Sequence, residues 1–520
     1  MKYKKTFPVL CIVAIISSGC SNGLWGEYAT PTLDFSLYFT ATPFEAATLI
    51  PTPLPATATP TFNPPTPTQE PSPSPLPTLT GAPKPPVIYY SQSGDSLSTV
   101  ATRFGVDPSE ISSTDPLPAS GLLNPGTLML IPDRMSETTP STLILPDSEF
   151  VYSASALDFN IRQFTSSAGG HLEDYTEYMR TTSHTSGADI VQRLADENSI
   201  NPRLLLAILE YQSRWVYGEP ENLAQEDYPL GYIDFQSRGL FAQMIRAIKE
   251  LSVGYYNWRS GDLTQLTFPD GKTIRMSPGL NAGSAALQYY FSRHFNYDDW
   301  AKAIDPNIGV PALYKEMFGD PWLRDNQVAP LFPPGITQPP LTLPFIPGVI
   351  WSYTGGPHAA WELEGALAAI DFAPSAMESG CIPSDQWIVA PASGLVTRSG
   401  NGVVVLDLDG DGKEQTGWVL LFLHIASSGR VRAGKFLDQG GYIGHPSCEG
   451  GVATGTHVHI ARRYNGEWVL ADSALPFEMD GWVVHAGAAP YKGTLVRDGE
   501  VVTASQYGSY ETNIMRDLQP

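Results

Sequence analysis

Cysteine is scarce, four in 520 residues, which excludes a fold stapled throughout by disulfides. Long apolar runs are scarce too. The stretch from Phe7 to Ile16 is too short to span a bilayer as a helix, and no later segment qualifies. Basic residues are outnumbered, 31 Lys and Arg against 53 Asp and Glu, for a net charge of −22. With no basic stripe, nucleic acid is excluded as a partner. Histidine is also sparse, nine residues, yet four of them fall in one pattern.

That pattern is Gly455-Thr456-His457-Val458-His459 with three upstream residues, His358, Asp371 and His424. Side chains alternate along a strand, so His457 and His459 point to one face. Two imidazoles on one face, a distant His and an Asp supply the ligand types of a catalytic zinc site with a position left open. The surrounding segments, Ala369-Ile370-Asp371-Phe372-Ala373-Pro374, Leu421-Phe422-Leu423-His424-Ile425, Gln439 to Gly444 and Thr454 to Ile460, resemble the M23 (LytM/lysostaphin) peptidoglycan endopeptidases. Most members place the first His four residues before the Asp, and here that position is Leu367. The longer interval back to His358 is similar to the staphylolysin or beta-lytic branch. The resemblance implies His358, Asp371 and His459 as zinc ligands, His424 and His457 as the catalytic pair, and an antiparallel β domain over 351–520.

The N-terminus carries Lys2, Lys4 and Lys5, the short apolar run, and then Ser17-Ser18-Gly19-Cys20. Residues 1–20 therefore read as a signal peptide. The small residues before Cys20 resemble a bacterial lipobox, with Ser17 where Leu is usual. This implies lipidation of Cys20 and a membrane-anchored, exported protein facing the wall; ordinary signal cleavage nearby is the other reading. Cys11 leaves with the signal, so Cys381 and Cys448 remain. An oxidising compartment favours their pairing; two buried thiols are the other reading.

Residues 21–86 are rich in Pro and Thr and too poor in apolar side chains to fold. They read as an extended spacer. Residues 134–156 and the Pro-rich 328–350 read as further linkers. Between them lie two modules. Residues 87–133 contain Tyr89 to Leu97, Val100 to Val106 and Leu123 to Pro132, which resemble the strand, Gly-Asp-Ser/Thr-Leu turn, helix and closing strand of a LysM domain. The resemblance implies a βααβ fold binding glycan beside Gly94, Asp95 and Ser96.

Residues 157–327 hold Asn201-Pro202 followed by an apolar run to Glu210, an N-cap and first helical Pro opening a buried helix. Apolar surroundings favour a protonated carboxyl, and a protonated acid is what glycosidic cleavage requires. Glu210 with Ser213 three residues on resembles the catalytic helix of lysozyme-like lytic transglycosylases, which implies an all-α domain and a glycan-cleaving Glu210. Finally, Asp407, Asp409 and Asp411 resemble the first half of a calcium loop. The closing Glu is missing, with Trp418 at the twelfth position, so a polar hairpin connection is the plainer reading and calcium an added expectation.

The sequence thus describes a multidomain, zinc-dependent hydrolase of peptidoglycan peptide cross-links with a second, glycan-cleaving activity. The alternative is a surface lipoprotein scaffold that binds the wall and activates another hydrolase.

Overall fold

The structure is a computed structural model that describes residues 84–375 and 380–518. The signal peptide, Cys20 and the spacer up to residue 83 lie outside the described residues.

The first region pairs Val87–Tyr90 with Leu128–Ile131, with the helix Leu97–Phe104 between them. Ser96 caps this helix through its side chain, and Gly105 ends it at φ +66, a left-handed conformation that costs glycine little. The expected second α-helix is absent among the described residues. Pro108–Glu110 makes a single 3₁₀ turn, and Ser112–Ser113 pairs with the closing strand instead. Serines compete for backbone hydrogen bonds and favour helices poorly, so the turn does not propagate. Three strands and one α-helix replace the βααβ pattern.

The second region is largely helical. Asn201 caps Pro202–Ser213 and Pro202 opens it. Leu204, Leu205, Leu206, Ile208 and Leu209 are all buried, as an apolar girdle requires. Beside it lie Gly187–Asn198, Leu240–Ser260 and Ala282–His294. The region is not purely α: Thr176–Met179 pairs with Ser183–Ser186, and Gln265–Thr267 with Thr273–Arg275.

The third region is built on an antiparallel sheet. Its strand order is Phe436–Leu437, Gly394–Gly400, Val403–Asp407, Trp418–Leu423, Val458–Tyr464, Ala369–Pro374, Ile350–His358 and Asn513–Met515, with Glu467–Trp468 joined to Val458–Tyr464. A smaller sheet runs from Glu478–Met479 to Glu500–Thr503. Cys381 and Cys448 are bonded, with Cα atoms 5.8 Å apart.

Both faces of the main sheet are covered. Val458, Ile460, Ile370, Phe372, Leu420 and Phe422 pack into one core with Trp351 and Tyr353. Ala461, Ala369, Val405, Val419, Leu421 and Leu423 face the other way, into a core shared with Leu204, Leu206, Ile248 and Tyr255 of the helical region. Polar contacts follow the same seam. Tyr255 and Arg259 donate to the Glu467 carboxylate, Trp468 Nε1 donates to the Asn198 carbonyl, and Arg398 donates to the Asp196 carbonyl. The segments read as linkers belong to this packing. Ile144, Leu145, Phe150 and Val151 are buried within 134–156, as are Leu331, Phe332, Leu341, Leu343 and Phe345 within 328–350. Burying each such side chain stabilises by roughly 1.5–3 kcal/mol, which outweighs the extended bias of the intervening prolines. Thr80–Pro520 is accordingly one compact unit.

Candidate metal centre

Register puts the site together. Leu423 pairs with His459 and His459 with Asp371, so neighbouring strands present these side chains at one level. His459 and Asp371 share the sheet face of Ala461 and Ala369, the face on which the helical region packs. The pairing of Ile350–His358 with Ala369–Pro374 shifts register twice, between Tyr353 and Gly355 and again before His358. Such irregularities bend a strand and re-aim its side chains, and here they bring His358 over Asp371. Gly355 is required at this crossing, because a Cβ there would lie 2.4 Å from Asp371 Oδ2.

Three atoms converge. His358 Nε2 is 2.9 Å from His459 Nδ1 and 3.2 Å from Asp371 Oδ1, and His459 Nδ1 is 3.4 Å from the same oxygen. The opposite ring nitrogens decide what these atoms carry. His358 Nδ1 lies 2.8 Å from the Gly356 carbonyl, and His459 Nε2 lies 2.9 Å from the Ala360 carbonyl. A carbonyl oxygen only accepts, so both of these nitrogens hold the proton. The inward nitrogens therefore present lone pairs to each other and to Asp371 Oδ1, a buried oxygen with no hydrogen-bond donor directed at it. Three lone pairs at these separations repel unless a cation lies among them. A tetrahedral zinc with bonds of ~2.0–2.1 Å has ligand–ligand edges of roughly 3.3–3.4 Å, so the set fits zinc. Outward N–H groups bound to carbonyls are also the usual second layer of a histidine metal site.

Burial alone would raise the Asp371 carboxyl, but positive charge on the neighbouring imidazoles of His358 and His457 would hold the group well below the usual carboxylate range; with those rings neutral, a cation among the three ligand atoms takes over that task. Burial also pushes His459 down.

His424 and His457 flank the cluster, their rings 4.4 Å apart. His424 follows its strand at φ +66 and donates from Nδ1 to the Glu449 carbonyl at 2.9 Å. Burial, and then His457 and His459, push its pKa down to about 3. His457 donates from Nδ1 to the Gly455 carbonyl at 2.7 Å, and its Nε2 lies 3.9 Å from Asp371 Oδ1. Tyr491 escaped the sequence reading. Its ring stacks on His358 at 4.1 Å, and burial, then Asp371, raises its hydroxyl to about 12. No motif marks it, and the carbonyls of Gly356, Ala360 and Glu449 leave no mark on side-chain identity at all.

The other expected sites are arranged differently. Glu210 Oε2 accepts from the backbone N–H groups of Val216 and Tyr217 at 2.8 and 3.0 Å, which ties the end of its helix to the next turn. Arg203 pairs with Asp158 rather than with Glu210. Asp95 is buried in an ion pair with Arg103 at 2.7 Å and accepts from the Tyr89 hydroxyl at 2.6 Å, so it is a core residue. Gly94 and Ser96 line a cleft of about 220 Å³ whose other walls include Tyr256, Arg259, Trp468 and Asp472. That cleft shares no residue with the His358–Asp371–His459 cluster.

Asp407, Asp409 and Asp411 lie together, but their carboxylates serve the loop itself. Asp407 accepts from the N–H groups of Asp409 and Gly412, Asp409 from that of Asp411, and Asp411 from that of Lys413. This is the geometry of a polar hairpin connection, and nothing in it supports calcium.

One solved structure, an M23 metalloprotease named pseudoalterin, aligns over its full length with 35% of this chain at 20% identity and a TM-score of 0.27. Protease LasA of Pseudomonas aeruginosa strain PAO1 is 26% identical over 346 residues, covering 64% of this chain and 76% of the relative; its counterpart in strain UCBPP-PA14 is 26% identical over 351 residues. Residues 143–331, the helical region, match the family described as LasA, N-terminal domain.

Proposed function

We propose that residues 351–520 form a zinc-dependent endopeptidase acting on the peptide cross-links of peptidoglycan outside the cell. The observation that carries this reading is the convergence of three proton-free ligand atoms from His358, Asp371 and His459 within 2.9–3.4 Å. The likeness to Protease LasA supports peptide-bond cleavage, and the resemblance of the motif segments to wall endopeptidases supplies the substrate class.

Bound among these atoms, zinc would supply Lewis acidity toward a scissile carbonyl and toward water. The chain supplies the rest. His424 stays neutral at working pH, so its Nε2 accepts from the attacking water and orients it. His457, with Nδ1 donating to Gly455, donates to the developing oxyanion when Nε2 is also protonated. The Tyr491 ring holds the His358 imidazole in plane.

Glycan cleavage at Glu210 has thinner support, because one of its carboxylate oxygens already serves Val216 and Tyr217. Export and a lipid anchor at Cys20 stay part of the proposal, resting on the N-terminal sequence.

Mass spectrometry of purified peptidoglycan digested by the chain from Ser21 onward, with and without a zinc chelator, tests the reading. New peptide amines that vanish with chelator are expected. A protein that sediments with the wall yet releases no new ends would turn the reading to the scaffold alternative.

A further inference from the structure

The Cys381–Cys448 bond joins the two loops that hold His424 and His457. On one side is the segment 447–449. Ser447 donates from its N–H and its hydroxyl to the His424 carbonyl at 2.7 and 3.0 Å, and the Glu449 carbonyl accepts from His424 Nδ1. Glu449 is itself latched beyond His424, its Oε1 accepting from the Ser427 N–H at 2.8 Å. The Ser447 carbonyl also takes the N–H of His457, at 3.4 Å. On the other side is the segment 380–382. Its Gly380 and Ile382 carbonyls accept from the N–H and the hydroxyl of Thr456, the residue before His457. His424 stands at φ +66, a left-handed conformation that a residue with a Cβ adopts at some cost and keeps only when its surroundings impose it.

None of these bonds touches the three metal-cluster side chains, whose outward partners are Gly356 and Ala360. The arrangement therefore separates two tasks. The sheet sets the metal cluster, and the disulfide-joined loops set the histidine pair beside it.

We propose that the Cys381–Cys448 bond, with Glu449 and Thr456, is a positioning clamp that fixes the facing orientation of the His424 and His457 rings without contributing to metal binding. The assignment of the pair to turnover rests on the endopeptidase reading above. The clamp itself does not.

The test compares the full chain with the Cys381→Ser/Cys448→Ser double variant and with Thr456→Val, which keeps the disulfide. Diethylpyrocarbonate labelling of each histidine, read by peptide mass spectrometry, reports ring exposure without reference to activity. Labelling of His424 should quicken in the double variant and that of His457 in Thr456→Val, while zinc stays stoichiometric. On a peptide identified from the wall digest, kcat should fall about tenfold or more with KM within about twofold, as expected when catalytic groups are misplaced by an ångström or less. Unchanged labelling with unchanged kcat would overturn the clamp, as would loss of zinc in step with loss of activity. Should the double variant fail to fold, Thr456→Val and its labelling decide the question alone. Should the parent cut no wall peptide, the endopeptidase reading fails, while the labelling still decides the clamp.

Discussion

Glu362 sits in the loop 359–368, between the His358 strand and the Asp371 strand, and this loop leans on the helical region. Glu364 pairs with Lys249 at 2.7 Å. A Cβ at Gly365 would lie 2.8 Å from that of Ser252. The loop also carries the Ala360 carbonyl that orients His459. Burial, and then the neighbouring Glu197, push the Glu362 carboxyl from an ordinary 4.5 up to about 7; Asn198, Lys249 and Arg193 pull the other way. A carboxyl raised in the folded state favours folding while protonated. That contribution is present below the unfolded value and is lost as pH rises through about 7. Each tenfold change in a protonation equilibrium is worth about 1.4 kcal/mol, so keeping Glu362 ionised in the fold costs at most ~3 kcal/mol. Solvent at this half-buried position lowers that to ~1–2 kcal/mol.

Glu362→Gln removes the ionisation and keeps a partner for Asn198. Thermal melts in parallel buffers should find the variant about 1–2 °C more stable than the parent at pH 8 and equal to it near pH 4, below the unfolded value. The parent alone should lose stability from pH 5 to pH 8 more steeply than the variant. Equal melting temperatures at both pH values would refute the claim that this loop buries an ionisable acid against the helical region.

Replacing His358 by Ala should abolish stoichiometric zinc in dialysed protein, measured by elemental analysis; zinc binding equal to the parent would remove His358 from the ligand set. Glu210→Gln replaces a charged acceptor by a neutral one for one buried and one partly buried backbone donor, so the melt should drop by the equivalent of about 1 kcal/mol, with release of peptide amines from the wall unchanged. Loss of glycan ends from the digest without any loss of stability would instead make Glu210 an acid catalyst. Millimolar calcium should leave the melt where it is, and a clear upward shift would return the Asp407 loop to the metal sites.

The metal cluster was legible because its chemistry sits in side-chain identity. His-x-His carries its own strand periodicity, and Asp371 lies in a recognisable run. What escaped is what the backbone and long-range packing supply. The Ala360 and Glu449 carbonyls could be any residue's, and Tyr491 reaches His358 only once the smaller sheet is in place. The linker readings of 134–156 and 328–350 weighed prolines and threonines over the Leu and Phe between them, and those apolar side chains govern burial. A further clue lay in Val403-Val404-Val405-Leu406 and Trp418 to Leu423. A strand open to water on one face alternates, whereas a run apolar throughout is covered on both. Those two runs already required a second layer, which the helical region provides. The shortened second helix of the first region was foreshadowed by Ser112-Ser113, a pair that propagates a helix poorly.

The strand Val458–Tyr464 has no spare residue. Ala461 shares the face of His459, while Val458 and Ile460 fill the opposite core. Deleting or inserting one residue within it would turn every later side chain over, pulling the buried Arg463 off Glu414 and turning aliphatic side chains out of the core they fill. Length changes in this enzyme scaffold must therefore gather in the connections around the strand. A library of single-residue deletions should find this segment intolerant from end to end, including positions that never touch the histidines.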